Sequence, residues 1–162
     1  MTLKYFAYGS NLHFKRFQQR VASARFIDMA VLPGYQLAFH KHGADDSAKC
    51  NIIRGSGEVH GVVYEIATTE KPVLDQLESG YESCELVVNT NTGPLKPYAY
   101  IAGDDSINHS LLPYHWYKLY VLHGAQQHGL DADYCSIIAS QVSINDPDIK
   151  RHDDHLSILG LK

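Results

Sequence analysis

The sequence predicts an α+β protein with a curved or closed sheet. Three observations lead there. Strand-like runs crowd the first two-thirds of the chain, helical spacing takes over the last third, and few strands alternate with helices as a parallel α/β fold would require. At 162 residues the chain is read as one domain, 1–162, with 141–162 as a C-terminal tail. A chain of this size buries roughly two-thirds of its unfolded surface and needs no staples.

The elements follow in order. Residues 4–8 read as a strand ending at Gly9. Ser10 or Asn11 can cap a helix whose apolar stripe is Phe14, Phe17 and Val21, spaced i, i+3, i+7. Two strands are expected at 25–32 and 36–41, separated by Pro33-Gly34, and the polar stretch 42–49 reads as a loop. Residues 59–66 make a strong strand. Thr69 then caps a short helix with Val73, Leu74 and Leu77 facing inward, stopped near Glu78 by Gly80. Strands return at 85–89 and 98–102. Pro113 opens a helix that ends at Gly129, and Asp131 caps another through Ser140. The last stretch is polar from Asp146, then apolar over 156–161, where it can cover the sheet or support contact with a second copy. Monomer and homodimer are both compatible.

Apolar residues make up 44% and charged residues 20%, with 14 Lys and Arg against 18 Asp and Glu, a formal charge of −4. A mildly acidic chain without a basic cluster does not suit nucleic acid as partner. No window approaches the ~18 apolar residues of a membrane span. No signal peptide is evident, and three widely spaced cysteines read as reduced thiols, so the expected setting is cytoplasmic. The 11 tyrosines and 10 histidines are in excess and need places.

Two segments are suited to chemistry. In Tyr8-Gly9-Ser10-Asn11-Leu12 a strand turns into a helix. Gly9 permits a tight turn, and the first helical N–H groups lack intrahelical partners, so the turn can hold a carboxylate or serve as an ordinary cap. It is not a phosphate loop of the Walker type, because no Gly-Lys-Ser/Thr follows. In Leu74-Asp75-Gln76-Leu77-Glu78-Ser79-Gly80, Glu78 stands at a helix C-terminus, where the negative end of the dipole opposes a fixed carboxylate. That suits a group that takes up and releases a proton. A solvated glutamate is the other reading.

The combination resembles the γ-glutamylcyclotransferases and their AIG2-like relatives. The resemblance runs from Tyr5-Phe6-Ala7-Tyr8-Gly9-Ser10-Asn11-Leu12 through Leu32-Pro33-Gly34-Tyr35, Ala48-Lys49-Cys50-Asn51-Ile52 and Gly61-Val62-Val63-Tyr64 to Leu74-Asp75-Gln76-Leu77-Glu78. It fades after about residue 129. It implies a small mixed β-barrel flanked by helices, and release of 5-oxoproline from a γ-glutamyl amino acid, peptide or amine with neither metal nor cofactor. By the resemblance Glu78 is the catalytic carboxylate, Tyr8, Gly9, Ser10, Asn11 and Leu12 cradle the substrate, and Tyr100 and Tyr117 wall the pocket. The partner implied is a small γ-glutamyl compound. The same cyclisation on a γ-glutamyl-protected metabolite, and a binding module without turnover, stay open beside it.

The chain departs from the family pattern in three places. Ser79 stands between the glutamate and Gly80, His60 stands where relatives often have Trp, and Cys84-Glu85 replaces a tyrosine for which Tyr81 is a substitute. Other candidates carry less. His40-Lys41-His42 offers two imidazoles with no third ligand signposted, and His152-Asp153-Asp154-His155 reads as a solvated run. Cys50 and Cys84 lack a placed His partner for nucleophilic work. The aromatic residues Tyr114, Trp116, Tyr117 and Tyr120 fall on several faces of one helix and read as core or interface.

Overall fold

A computed structural model describes residues 1–162. Its centre is a hairpin of two long strands, β2 (Arg25–His42) and β3 (Ala48–Ala67). Around it lie β1 (Thr2–Ala7), β4 (Tyr81–Glu85), β5 (Val88–Thr90), β6 (Gly93–Leu95) and β7 (Tyr98–Ala102), in the sheet order β4-β7-β1-β3-β2-β5-β6. All neighbours are antiparallel except β1 and β7. The sheet is therefore mixed, and it keeps two edges, β4 and β6.

Its curvature has local causes. Register shifts interrupt the β2–β3 ladder at Phe26/Asp28, Pro33/Tyr35 and Phe39/Lys41, and each extra residue bends a strand. The far half of the hairpin folds back toward β7. Asn51 Oδ1 accepts from the Ala102 N–H at 2.9 Å, and the Asn108 N–H reaches the His40 carbonyl at 2.8 Å. The result is the strongly curved, barrel-like α+β arrangement expected.

Several boundaries differ from expectation. Pro33-Gly34 does not end a strand. Gly34 takes φ +79 and the break becomes a bulge inside β2. Residues 48–58 belong to β3, although Arg54, Gly55 and Gly57 interrupt their apolar alternation. The expected loop 42–49 shrinks to a turn closed by Gly43 N–H to Ser47 O at 2.9 Å. The strand expected at 85–89 is two strands, β4 and β5.

The helices are α1 (Phe14–Arg20), α2 (Lys71–Leu77), α3 (His115–Gln127), α4 (Ala132–Ser140) and α5 (Ile149–Ile158). Ser10 and Asn11 do not cap α1. They lie in a 3-10 turn, and the His13 side chain takes the Arg16 N–H instead. Thr69 lies in a second 3-10 turn, and α2 starts after it with Pro72 in its first turn. Only Leu74 of α2 is buried; Val73 and Leu77 are half exposed, so the inward face is narrower than its spacing suggested. α3 starts after Tyr114 rather than at Pro113. Asp131 caps α4 as expected, accepting from the Tyr134 N–H at 2.9 Å.

The C-terminal stretch contains a capped helix that packs back on the core. Asp148 accepts from the Arg151 N–H, and Leu156, Ile158 and Leu159 pack against the core. No helix is long and apolar enough to cross a membrane. Cys50, Cys84 and Cys135 are free.

Candidate active site

The turn after β1 is held from three sides. A Cβ on Gly9 would stand 3.1 Å from the Cys50 Cβ, so any side chain there would crowd β3 and push the turn outward. From the opposite side, a Cβ on Gly124 would stand 2.5 Å from the His13 nitrogen and 2.5 Å from the Leu12 carbonyl carbon; its absence lets α3 press against the turn. The Leu12 carbonyl then accepts from the Tyr64 hydroxyl at 3.1 Å and lies 3.0 Å from His128 Nε2.

Beside this turn is a narrow pocket of about 30 Å³ lined by Tyr5, Tyr8, Gly9, Ser10, Asn11, Cys50, Glu78, Tyr81, Tyr100 and Tyr117. Of the residues the sequence singled out, Tyr8, Gly9, Ser10, Asn11, Glu78, Tyr100 and Tyr117 meet here. Leu12 does not; its side chain is fully buried in the core, and it serves the site through the backbone. Tyr5, Cys50 and Tyr81 complete the lining. Tyr5 and Cys50 sit inside the quoted motifs, but their direction depends on sheet curvature that the sequence does not display.

The tyrosine hydroxyls are already engaged. Tyr8 donates to the Tyr100 carbonyl, Tyr81 donates to the Cys50 carbonyl at 2.6 Å, and Tyr100 donates to Asp75 at 2.6 Å. The Tyr117 hydroxyl accepts from the Cys50 N–H at 2.9 Å. Burial pushes the pKa of Tyr5, Tyr8, Tyr81, Tyr100 and Tyr117 above the usual tyrosine value. They are neutral walls, not bases. Burial also pushes the Cys50 thiol up to about 12, so it stays protonated and a poor nucleophile.

Glu78 is the acidic residue in this lining. It is the C-cap of α2, its N–H bonded to the Leu74 carbonyl. The side chain is 14% exposed, and Oε1 accepts from Asn11 Nδ2 at 3.0 Å and Arg20 Nη1 at 3.4 Å. These two donors fix the direction of the carboxylate in the pocket wall. Asn11 Nδ2 also donates to the Tyr5 hydroxyl at 3.1 Å, while Asn11 Oδ1 is buried without a partner. An acceptor without a donor in a buried pocket is suited to a ligand N–H.

The turn after Glu78 is fixed by Gly80 at φ +84 and by Lys41, which donates to the Ser79 carbonyl at 2.7 Å. Ser79 thus lengthens the turn without removing its glycine. His60 stacks on Tyr134 with ring centroids 4.6 Å apart, and Glu85 lies on edge strand β4; neither lines the pocket. Arg20 was missed. Its signal was its place four residues after Arg16 on one helix face, where two like charges repel unless something anionic stands near.

A curved mixed sheet whose first strand turns tightly over a tyrosine-walled pocket with one carboxylate defines a cyclotransferase-like class. The profile of the family described as "Gamma-glutamyl cyclotransferase, AIG2-like" matches residues 5–119, and the chain belongs to that family. It is an enzyme of the γ-glutamylcyclotransferase type. A "Gamma-glutamylcyclotransferase" from Bos taurus is 32% identical over 140 residues, which cover 80% of this chain and 73% of the relative. Among solved structures, one described as "Gamma-glutamyl cyclotransferase" superposes with a TM-score of 0.82 at 26% identity, over 97% of this chain and 99% of its own. An uncharacterized protein from Homo sapiens reaches 0.79 at 26% identity, over 93% and 96% of the two chains.

Proposed function

We propose that the enzyme releases 5-oxoproline from a γ-glutamyl amino acid, peptide or amine, and that Glu78 moves the proton. The α-amine of such a compound is protonated at neutral pH and cannot attack. Glu78 accepts one of its protons, and the freed nitrogen lone pair adds to the γ-carbonyl carbon and closes a five-membered ring. As the tetrahedral centre expels the leaving nitrogen, that nitrogen takes this first proton from Glu78. Glu78 then accepts the second surplus proton from the ring nitrogen and passes it to the departing amine, so the ring keeps one N–H and the amine leaves as an ammonium ion. The carboxylate ends as it began, and the substrate supplies its own nucleophile.

The observation that carries this reading is Glu78 held by Asn11 and Arg20 on the wall of a neutral tyrosine pocket. A carboxylate so held is a proton acceptor at a fixed position. Asn11 Oδ1 offers the substrate amine an acceptor beside it. Backbone N–H groups of Gly9, Ser10 and Asn11 suit the substrate carboxylate or the developing oxyanion, and the close walls keep the chain curled, which lowers the entropic part of the barrier. The substrate is a small γ-glutamyl compound, and the free cysteines suit a cytoplasmic setting.

Glu78→Gln keeps the shape and hydrogen-bonding reach of the side chain and removes the base. We expect 5-oxoproline release to fall by about 10²- to 10⁴-fold while the circular dichroism spectrum and melting temperature stay near wild type. Undiminished turnover in that folded variant overturns the assignment of Glu78.

A further inference from the structure

Glu78 stands between two cavities. Adjoining the tyrosine pocket is a wider cleft of about 270 Å³, which shares Ser10, Glu78, Tyr81 and Tyr117 with the first. A substrate with its γ-carbonyl at Glu78 and its glutamyl head in the tyrosine pocket extends its leaving part into this cleft.

The cleft is basic. Its walls carry Arg16, Arg20, Lys41, Lys49 and Arg151. Three of these cations have acidic partners within the fold: Arg20 with Glu78, Lys49 with Asp45 at 2.8 Å, and Arg151 with Asp146 at 2.6 Å. Arg16 and Lys41 have none at ion-pair distance, with Glu78 and Asp45 acting on Lys41 from further off. The Arg16 guanidinium lies over the Tyr120 ring, 4.4 Å from its centroid, and its Nε is buried with no hydrogen-bond partner. Burial lowers its pKa to about 10, which leaves it charged at neutral pH. Lys41 donates only to the Ser79 carbonyl and lies 4.8 Å from the Tyr81 ring centroid. Two cations without a contact ion pair, one with an unfilled buried donor, line the same cleft as Glu78. A buried unfilled donor is costly in the empty protein and is relieved by a ligand acceptor.

We propose that this cleft receives the leaving part of the γ-glutamyl substrate and selects one that carries two acidic groups, such as an amino dicarboxylate, over neutral or cationic amines. The inference rests on the cyclotransferase reading of the inner pocket. It adds a charge requirement on the opposite side of the scissile bond, with Arg16 and Lys41 as the residues that set it.

The test compares four γ-glutamyl compounds differing in the charge of the leaving part: the glutamate, alanine, ethylamine and cadaverine derivatives. At low salt kcat/KM for 5-oxoproline release is expected to fall in that order, with about tenfold or more between glutamate and ethylamine, and the spread should shrink as salt rises. Arg16→Gln and Lys41→Gln should each narrow the glutamate-to-ethylamine ratio by about threefold or more, through KM more than kcat, and Arg16→Lys should largely keep it. A merely structural role would slow all four substrates alike. Calorimetric binding of the same panel to the Glu78→Gln protein reads the charge order without turnover. Turnover or binding that ignores charge, or that favours ethylamine or cadaverine, overturns the charge selection and leaves the cyclotransferase reading intact. No 5-oxoproline from any compound, with the charge order kept in binding, overturns that reading and keeps the basic cleft.

Discussion

The two cavities flanking Glu78 are built in opposite ways. The inner pocket is neutral and tight. Its walls come from β1, β3, β4 and β7, one 3-10 turn, the C-cap of α2 and Tyr117 of α3, and its hydroxyls bond mostly to backbone. The outer cleft is charged and wide, and its walls come from α1, the β2–β3 turn, α3 and α5, with local ion pairs in the β2–β3 turn and before α5 and one long-range pair, Arg20 with Glu78. Sterics shape the first and charge compensation shapes the second. Damage to the inner pocket is therefore expected to disturb the whole turn, whereas damage to the outer cleft should change which substrates are accepted before it changes chemistry.

The largest expected effect tests the inner side. At Gly124, atoms of Leu12 and His13 occupy the space a side chain would need. Gly124→Val must push α3 from the turn, and overpacking of this kind costs about 3 kcal/mol or more. The urea midpoint should fall sharply and activity should fall on every γ-glutamyl substrate, because the turn carrying Asn11 moves with it. A variant with wild-type midpoint and rate would mean the turn is not braced by α3.

A smaller effect tests the outer side. The Asp146 side chain is fully buried and accepts from Trp116 Nε1 at 2.8 Å, Arg151 Nε and Nη2 at 2.6 Å each, and the Asp148 N–H at 2.9 Å. The Arg151 guanidinium holds its carboxyl well below the usual carboxylate range. Asp146→Asn keeps the shape and removes the charge. With Arg151 one-third exposed and able to recover water, we expect a loss of about 2 kcal/mol. The ratio of glutamate to ethylamine turnover should narrow by about threefold as Arg151 and α5 loosen. An unchanged ratio would detach α5 from specificity.

The same contrast explains what the sequence made legible. Tyr8, Gly9, Ser10 and Asn11 are neighbours in the chain and stay neighbours in space, and Glu78 is marked by a short helix that stops at a glycine. Local turn chemistry therefore pointed to half of the inner pocket, and the family resemblance added Tyr100 and Tyr117. Tyr5, Cys50 and Tyr81 join it only because β2 and β3 bend, and the bends sit at register shifts that no spacing rule reveals. The outer cleft was invisible. Arg16, Lys41, Lys49 and Arg151 are far apart in sequence and look like ordinary solvated charges. α5 was missed because it is mostly polar and its order comes from Asp148 capping, from Asp146 and from His155 on Trp116, which are tertiary or single-residue features rather than periodic ones.

His155 gives the finest test. Its ring stacks on Trp116 with centroids 3.7 Å apart and is hydrogen-bonded to the Tyr120 hydroxyl at 2.9 Å. Burial, then the facing cations Arg16, Lys49 and Arg151, lower its pKa to about 4, with Asp146 opposing them. A histidine near 6.5 when unfolded takes up a proton between pH 6.5 and 4 that the folded protein refuses, so folding loses stability as pH falls through that window. Because the ring is only partly buried, the loss from this group is about 1 kcal/mol. His13, also lowered to about 4 by burial, adds a similar slope that a substitution at 155 leaves in place. His155→Phe keeps the stacking and removes the titration. It should be less stable than wild type at pH 7, by roughly 1 kcal/mol for the lost Tyr120 hydrogen bond, and the gap should close by about pH 4.5. Urea midpoints at the two pH values measure it. Parallel losses in both proteins would show that the cations of the outer cleft do not act on this ring, and would weaken the case that they act on a ligand placed among them.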